Sequence, residues 1–209
     1  MKLVLASNNQ KKLKELRSLL GDLQVELVAQ GELGIAEAEE PHLTFLENAL
    51  AKARHAARAS GLPAIADDSG LCVDALGGAP GVISAHYAPT PTVDGDREAL
   101  RRAQDAANNR LLLERLAGVA DRRAAFVSTL VAVRHADDPQ PLVAAGRWPG
   151  EVLAGLRGEG GFGYGPRLFI PDLGATVAEI DAAVKNSHSH RARAMAQMRQ
   201  LLVDAWHLA

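Results

Sequence analysis

The sequence predicts an α/β fold, a sheet with helices packed on it, and the opening of the chain carries most of that expectation. KLVLA, residues 2–6, is an apolar run of strand length. QKKLKELRSLLG follows, with Leu13, Leu16 and Leu20 at helical spacing and Gly21 as the stop. QVELVA then returns to strand character. A β-α-β opening of this kind is the usual start of a sheet covered by helices. A chain of 209 residues can bury a sizeable core, as one large domain or as two lobes sharing a sheet.

The later elements follow in order. Thr44-Phe45-Leu46-Glu47 opens a helix: Thr44 can cap the free amides, and Glu47 three residues on completes a capping box. This helix should run to Ser60 and stop at Gly61, with Asn48 and Lys52 on one face at i,i+4 spacing. LPAIA, residues 62–66, reads as a strand closed by a DDSG turn. In VDALGGAPGVISAHY the glycines and a proline rule out long regular elements. A helix over roughly 95–117 carries Leu100, Ala103, Ala107, Leu111 and Leu112. AAFVSTLVAVRH, 124–135, is the longest strand candidate, and PLVAAGRW returns after an ADDPQ turn as a hairpin. GEGGFGYGP, 158–166, is a loop with five glycines, followed by LFIP and by a last helix from about Ser189 to Ala205. No repeat, low-complexity tail or linker intervenes, so residues 1–209 read as one unit built of two lobes.

Composition narrows the partners. A formal net charge of −2 gives no general attraction for nucleic acid or anionic membrane. The single cysteine, Cys72, excludes an internal disulfide framework and an all-cysteine metal site. The apolar run after Met1 is too short for a signal-peptide core or a membrane span, so a soluble cytoplasmic protein is expected.

Three stretches carry chemistry. KLVLA leads into Ser7-Asn8-Asn9-Gln10-Lys11-Lys12 and then a helix. A strand feeding a helix N-terminus presents backbone amides and the positive end of the helix dipole, Ser7 and Asn9 add donors, and Lys12 adds a point charge. That arrangement would suit a triphosphate, but by itself it is a weak signal, and a plain capped helix with lysines in solvent is the favoured reading. It is neither a Walker A loop nor a dinucleotide fingerprint, because the glycine spacing is missing.

AIADDSG, residues 64–70, places Asp67 and Asp68 side by side at the end of a buried strand, where open α/β sheets hold their ligands. Adjacent side chains in an extended chain point to opposite sides, so the two carboxylates take different tasks. One can bind a divalent cation while the other orients water or a lysine. Mg²⁺ uses one or two carboxylates plus substrate phosphates. Glu37-Ala38-Glu39-Glu40 can add an oxygen ligand, and Lys52 can neutralise the cluster or meet a phosphate. A turn pair with Lys52 at the surface is the equally weighted alternative. Asp137-Asp138-Pro139 reads as a hairpin turn, so adjacent aspartates alone do not mean catalysis. No cysteine–histidine spacing supports zinc, and His86, His135 and His207 stand alone.

Gly161-Phe162-Gly163-Tyr164-Gly165 puts rings at alternate positions in a glycine strip that lets a planar ligand approach the backbone. Lys185-Asn186-Ser187-His188-Ser189-His190-Arg191 delivers donors at the start of the final helix; His190 and Arg191 can bond a purine edge while Lys185 reaches phosphate or ribose. An aromatic core plug and a capped helix account for the same residues. The basic groups are few and scattered, which fits a pocket for one nucleotide better than a groove for a polymer.

SNNQKK, EEPHLTFLENALAKARHAA, LPAIADDSGLCVDALGGAPGVISAHY, WPGEV, GEGGFGYGP and KNSHSHRARA follow one another in an order that resembles the inosine/xanthosine triphosphate pyrophosphatase family. The resemblance to this HAM1-type group covers nearly the whole chain. It implies an elongated α/β fold with a long mixed central sheet and two lobes with an active-site cleft between them. It further implies a homodimer and Mg²⁺-dependent hydrolysis of ITP, dITP and XTP to the monophosphate and pyrophosphate, which removes these deaminated purine nucleotides from the pool. By motif, Ser7 to Lys12 resemble the triphosphate loop, and Glu40 and Asp68 the metal-site carboxylates, with Asp68 also the proton acceptor. Lys52 and Asp67 resemble their close supports, Asp67 keeping Lys52 and the water network in place. Ser69 resembles a substrate-binding serine and Phe162 the base-stacking ring, with Gly163, Tyr164 and Gly165 around it. Lys185, His190 and Arg191 resemble the base and ribose contacts.

One position departs from the family pattern: GFGYGP carries Gly165 where an aspartate is usual, which removes a carboxylate hydrogen bond from the nucleotide pocket. A lost contact to a buried donor costs ~1–3 kcal/mol, so base affinity is affected more than phosphate chemistry. Other readings are a Maf-type pyrophosphatase, a pyrophosphatase for other modified nucleotides, an aspartyl phosphatase and a nucleotide sensor without turnover. The GGFGY loop and the SHR segment oppose the Maf type, the adjacent spacing of Asp67 and Asp68 opposes the aspartyl phosphatase, and Gly165 slightly favours the sensor while Glu40, Lys52, Asp67 and Asp68 oppose it.

Overall fold

KLVL forms β1 (Lys2–Leu5), and its Leu3, Val4 and Leu5 are wholly buried, as suits a strand covered on both faces. α1 (Gln10–Leu20) follows, then β2 (Glu26–Ala29), α2 (Phe45–Ser60) and β3 (Ala64–Val73). α3 (Arg97–Arg115), β4 (Arg123–Val133), β5 (Leu142–Val152), β6 (Leu168–Ile170) and β7 (Ala175–Thr176) come next, and α4 (Ala182–His188) and α5 (His190–Trp206) close the chain. This computed structural model describes residues 1–21, 23–92, 96–158 and 163–208, with the side chains of Lys11, Leu19 and Arg97 outside the description.

The strands make one seven-stranded sheet in the order β2-β1-β3-β4-β5-β6-β7. β1 runs parallel to β2, with Val4 opposite Val28, and parallel to β3, with Leu5 opposite Ile65. β6 is antiparallel to both β5 and β7, so the sheet is mixed, as the resemblance implied. β5 alternates strictly between buried and exposed positions, the period-two signature of a strand with one covered face.

Two compact units are distinguished. One comprises residues 1–69, 128–147 and 186–209; the other comprises 70–127 and 148–185. In the first, Leu13, Leu16 and Leu20 of α1 pack with Leu3, Leu5, Met195, Met198 and Leu202. A second cluster in the same unit sets Ala49, Ala53, Ala56 and Ala57 of α2 against Val4, Ala64, Ala66, Val131 and Val133. Small side chains bring the helix close to the sheet, which buries Lys52 on the same face. The other unit has its own core, with Leu71, Leu112, Leu116, Trp148, Tyr164 and Leu168 at its centre.

Glycine is required where α5 lies on β5. A Cβ on Gly146 would sit 1.9 Å from the carbonyl oxygen of His190 and 2.6 Å from the amide nitrogen of Ala194. This close backbone approach places the first turn of α5, and Arg191 with it, on the sheet.

Three expectations change. DDSG is no turn: β3 runs unbroken through Asp67, Asp68, Ser69 and Gly70 to Val73. The like charges and the glycine read locally as turn signals, and cations from distant elements override them. The Thr44 cap forms, its hydroxyl accepting from the Glu47 amide at 3.2 Å, but the box closes between side chains, with the same hydroxyl donating to Glu47 Oε2 at 2.6 Å. β7 and α4 are additional elements of only two and seven residues, too short to leave a periodic signal.

Candidate active site

β3 turns its adjacent carboxylates toward different partners. Asp67 is wholly buried and collects four donors. Lys12 Nζ lies 3.1 Å and Arg191 Nε 3.0 Å from its Oδ2, Ser128 Oγ donates to Oδ1 at 2.7 Å, and Ser69 Oγ donates to Oδ2 at 3.4 Å. Burial alone would raise this carboxyl; the Lys12 ammonium, the Arg191 guanidinium and the Ser128 hydroxyl outweigh it and hold Asp67 far below the ordinary carboxylate range.

Asp68 faces Lys52, whose Nζ lies 2.9 Å from its Oδ1. The same ammonium lies 3.2 Å from Glu40 Oε2, so Lys52 bridges the two carboxylates. Burial opposes the charge on Lys52, and Asp68 with Glu40 more than restores it, raising its pKa. For Asp68 burial prevails over Lys52, so its pKa is raised. Among the described residues its buried Oδ2 has no hydrogen-bond partner. A cavity of about 90 Å³ opens here, with Ser7, Lys12, Gln30, Glu40, Lys52 and Asp67 among its lining residues.

Arg191 connects the cluster to α1. Besides Asp67, its guanidinium bonds Glu15 through Nη1 and Ser69 Oγ through Nη2 at 3.3 Å. The group is buried; burial opposes its charge, and Asp67 and Glu15 outweigh that effect. The cluster holds four carboxylates, Glu15, Glu40, Asp67 and Asp68, against three cations, Lys12, Lys52 and Arg191. Among the described residues, the buried Asp68 oxygen without a donor, close to Glu40 across Lys52, suits a divalent cation held by Asp68 and Glu40 with substrate oxygens completing its shell.

Of the residues expected at the site, Ser7, Lys12, Glu40, Lys52, Asp67, Asp68, Ser69 and Arg191 converge here. Two roles shift. Asp67 holds Lys12 and Arg191, while Lys52 pairs with Asp68 and Glu40, so Asp67 does not keep Lys52 in place by direct contact. Ser7 and Asn9 turn acceptor oxygens to the backbone: Ser7 Oγ accepts from the Asn9 amide at 3.1 Å and Asn9 Oδ1 from the Lys12 amide at 3.3 Å, capping α1 at Gln10. Asn8 packs against the backbone of Gly31, where a Cβ would approach its Oδ1 to 2.5 Å.

Phe162 and the side chain of Lys11 lie outside the described residues. Tyr164 is a core plug: its ring is buried and its hydroxyl donates to the Ser84 carbonyl at 2.9 Å, with burial raising its pKa. That burial removes it as a ring presented to a ligand. Gly163 has φ +62, and Gly165 accepts from the Ala178 amide at 3.2 Å. Lys185 lies in α4, and His190 follows the Ser189 cap of α5.

Ser128, Glu15 and Gln30 escaped the sequence reading. Ser128 left a trace, a hydroxyl inside the apolar run FVSTLVAV. Glu15 is one turn beyond Lys12 on α1, a spacing that places both on one side.

Comparison with known proteins gives one answer. The Ham1 family matches residues 3–201. A dITP/XTP pyrophosphatase of Leptothrix cholodnii is 72% identical over 212 residues, covering 100% of both chains. One of Burkholderia pseudomallei is 59% identical, covering 93% of this chain and 89% of its own. Among solved structures, a HAM1 protein from Coxiella burnetii superimposes with a TM-score of 0.88 at 40% identity, covering 98% and 99% of the two chains. The Staphylococcus aureus Ham1 protein gives 0.82 at 36% identity, covering 97% and 98%. With the family matched from near the first strand into the last helix, the chain belongs to the Ham1 family.

Proposed function

We propose that this protein is a nucleoside triphosphate pyrophosphatase that hydrolyses deaminated purine nucleotides, dITP, XTP and ITP, to the monophosphate and pyrophosphate. The observation that carries the reading is the buried, donorless Oδ2 of Asp68 beside Lys52, Glu40 and the lysine-bearing start of α1. The activity named for relatives of 72% and 66% identity supports the substrate class.

Glu40 and Asp68 would hold Mg²⁺, which when bound supplies Lewis-acid polarisation of phosphate oxygens. Lys52 engages Asp68 through Oδ1, and the Asp68 carboxylate is assigned to take a proton from the attacking water. Burial raises the pKa of that carboxyl and so strengthens it as a base. The Ser7–Lys12 segment holds the phosphates, with the Lys12 ammonium set in position by Asp67. The base is assigned to Phe162, Gly163, Gly165, Lys185, His190 and Arg191. Hypoxanthine and xanthine carry an acceptor at C6 where adenine carries a donor, so a donor-rich helix start prefers them. The base contact of Arg191 rests on the resemblance, since its three guanidinium nitrogens bond protein oxygens. A homodimer of two-lobed, single-domain protomers, a cytoplasmic location and a free nucleotide as the sole ligand class complete the reading. Among the described residues, no helix is long and apolar enough to cross a membrane.

Product analysis tests it. ITP with Mg²⁺ should give IMP and pyrophosphate, and excess chelator should abolish turnover. IDP and orthophosphate as initial products, or full turnover in chelator, would overturn the assignment.

A further inference from the structure

The loop that follows the glycine run is tied to α3 by two side chains that no motif reading had singled out. Gly163 lies in the left-handed region at φ +62, and both its polar backbone atoms bond to α3. Its N–H donates to Asp105 Oδ2 at 2.9 Å, and its carbonyl accepts from Asn109 Nδ2 at 2.9 Å. Asp105 and Asn109 are one turn apart on the helix, and Asn109 Nδ2 also donates to the Asp105 carbonyl at 2.8 Å. The next residue, Tyr164, is anchored in the core through Ser84. One backbone unit is thus held from both sides, by a carboxylate and an amide on one rigid element.

Both bonds are long-range, spanning 58 and 54 residues, so the Gly163 backbone is held by a separate helix and not by its own turn. With its N–H and its carbonyl both held, the orientation of the Gly163 backbone is fixed relative to α3. Asp105 and Asn109 belong to the unit of residues 70–127 and 148–185, whereas Lys52 bonds Asp68 and Glu40 within the other unit.

We propose that Asp105 and Asn109 are positioning residues for nucleobase recognition, holding the Gly163 backbone in the conformation that admits a purine. The inference rests on the pyrophosphatase reading and deepens it: the clamp sets affinity and base choice and leaves the phosphate chemistry alone.

Steady-state kinetics of Asp105→Ala and Asp105→Asn with ITP and ATP test it, alongside thermal unfolding of each variant. Asp105→Ala should raise KM for ITP about tenfold with kcat within about twofold, the loss of one charge-assisted hydrogen bond expressed in binding. The ITP-over-ATP ratio of kcat/KM should fall with it. Asp105→Asn keeps an acceptor oxygen and should return KM to within about threefold of the parent. Asn109→Ala, which removes the bond from the other side, should move KM in the same direction and decides the matter if Asp105→Ala does not fold. A lower melting temperature with unchanged KM, or a fall in kcat alone, overturns the proposal. A parent protein that turns over neither nucleotide overturns the pyrophosphatase reading beneath it.

Discussion

The chain contains two pairs of adjacent aspartates, and they have opposite fates. Asp137-Asp138 lies in the turn between β4 and β5, where Asp138 accepts from the backbone amides of Arg134 at 2.8 Å and Gln140 at 2.9 Å. Its neighbour Asp137 points outward, 90% exposed, with Arg58 3.6 Å away. Every strong partner of that pair is local backbone. Asp67-Asp68 lies inside β3, and its partners are side chains from α1, α2, β4 and α5. Both oxygens of Asp138 accept from backbone amides, whereas among the described residues the strand pair leaves one buried oxygen without a donor. Saturation by local amides makes a structural carboxylate; burial among remote cations with an oxygen left over makes a chemical one.

The largest effect that sharpens this contrast is on Asp68. Asp68→Asn should cut pyrophosphate release by about a hundredfold or more while KM for ITP changes only a few-fold, as expected for loss of a proton acceptor. Its stability should stay within ~1 kcal/mol of the parent, because Lys52 keeps Glu40. Turnover near the parental value would move proton acceptance to another group.

Asp67 is expected to behave the other way. Asp67→Asn removes the carboxylate that Lys12 and Arg191 share, leaving Arg191 only Glu15, and should lower the unfolding free energy by about 3 kcal/mol, read from urea titration. An unmoved urea midpoint would show that the four-donor arrangement contributes nothing to folding.

The smallest effect belongs to the turn. Asp138→Asn should cost about 1–2 kcal/mol at pH 7 and leave kcat/KM unchanged. Burial disfavours the Asp138 charge, and the two backbone amides outweigh burial, so its folded pKa is lowered. A lowered folded pKa gives stability that is present above the unfolded value of about 3.9 and is lost as pH falls through the folded value. The gap between parent and variant should therefore begin to narrow near pH 4 and close as pH falls through the folded value, and urea midpoints at pH 7 and pH 3 measure the narrowing. A gap independent of pH would show that the carboxylate charge is not what the amides hold.

Local pattern determined much of this protein. The strand–helix–strand opening follows from apolar spacing, α2 begins at its threonine cap and ends at Gly61 with φ +68, and the ADDPQ turn forms around Asp138. Each of these rests on contacts a few residues apart, which periodicity and capping rules register. The order of motifs also brought the carboxylates, Lys52 and Arg191 under one heading. Tertiary structure decided that the DDSG segment is strand and that Asp67 serves Lys12 and Arg191 while Asp68 serves Lys52. It also decided that Tyr164 plugs a core and that Gly163 is clamped to α3. The partners of Asp67 lie 55, 61 and 124 residues away in sequence. Whether two like charges can be buried side by side depends on where those cations and that hydroxyl arrive, and their arrival is settled only when the helices close on the sheet.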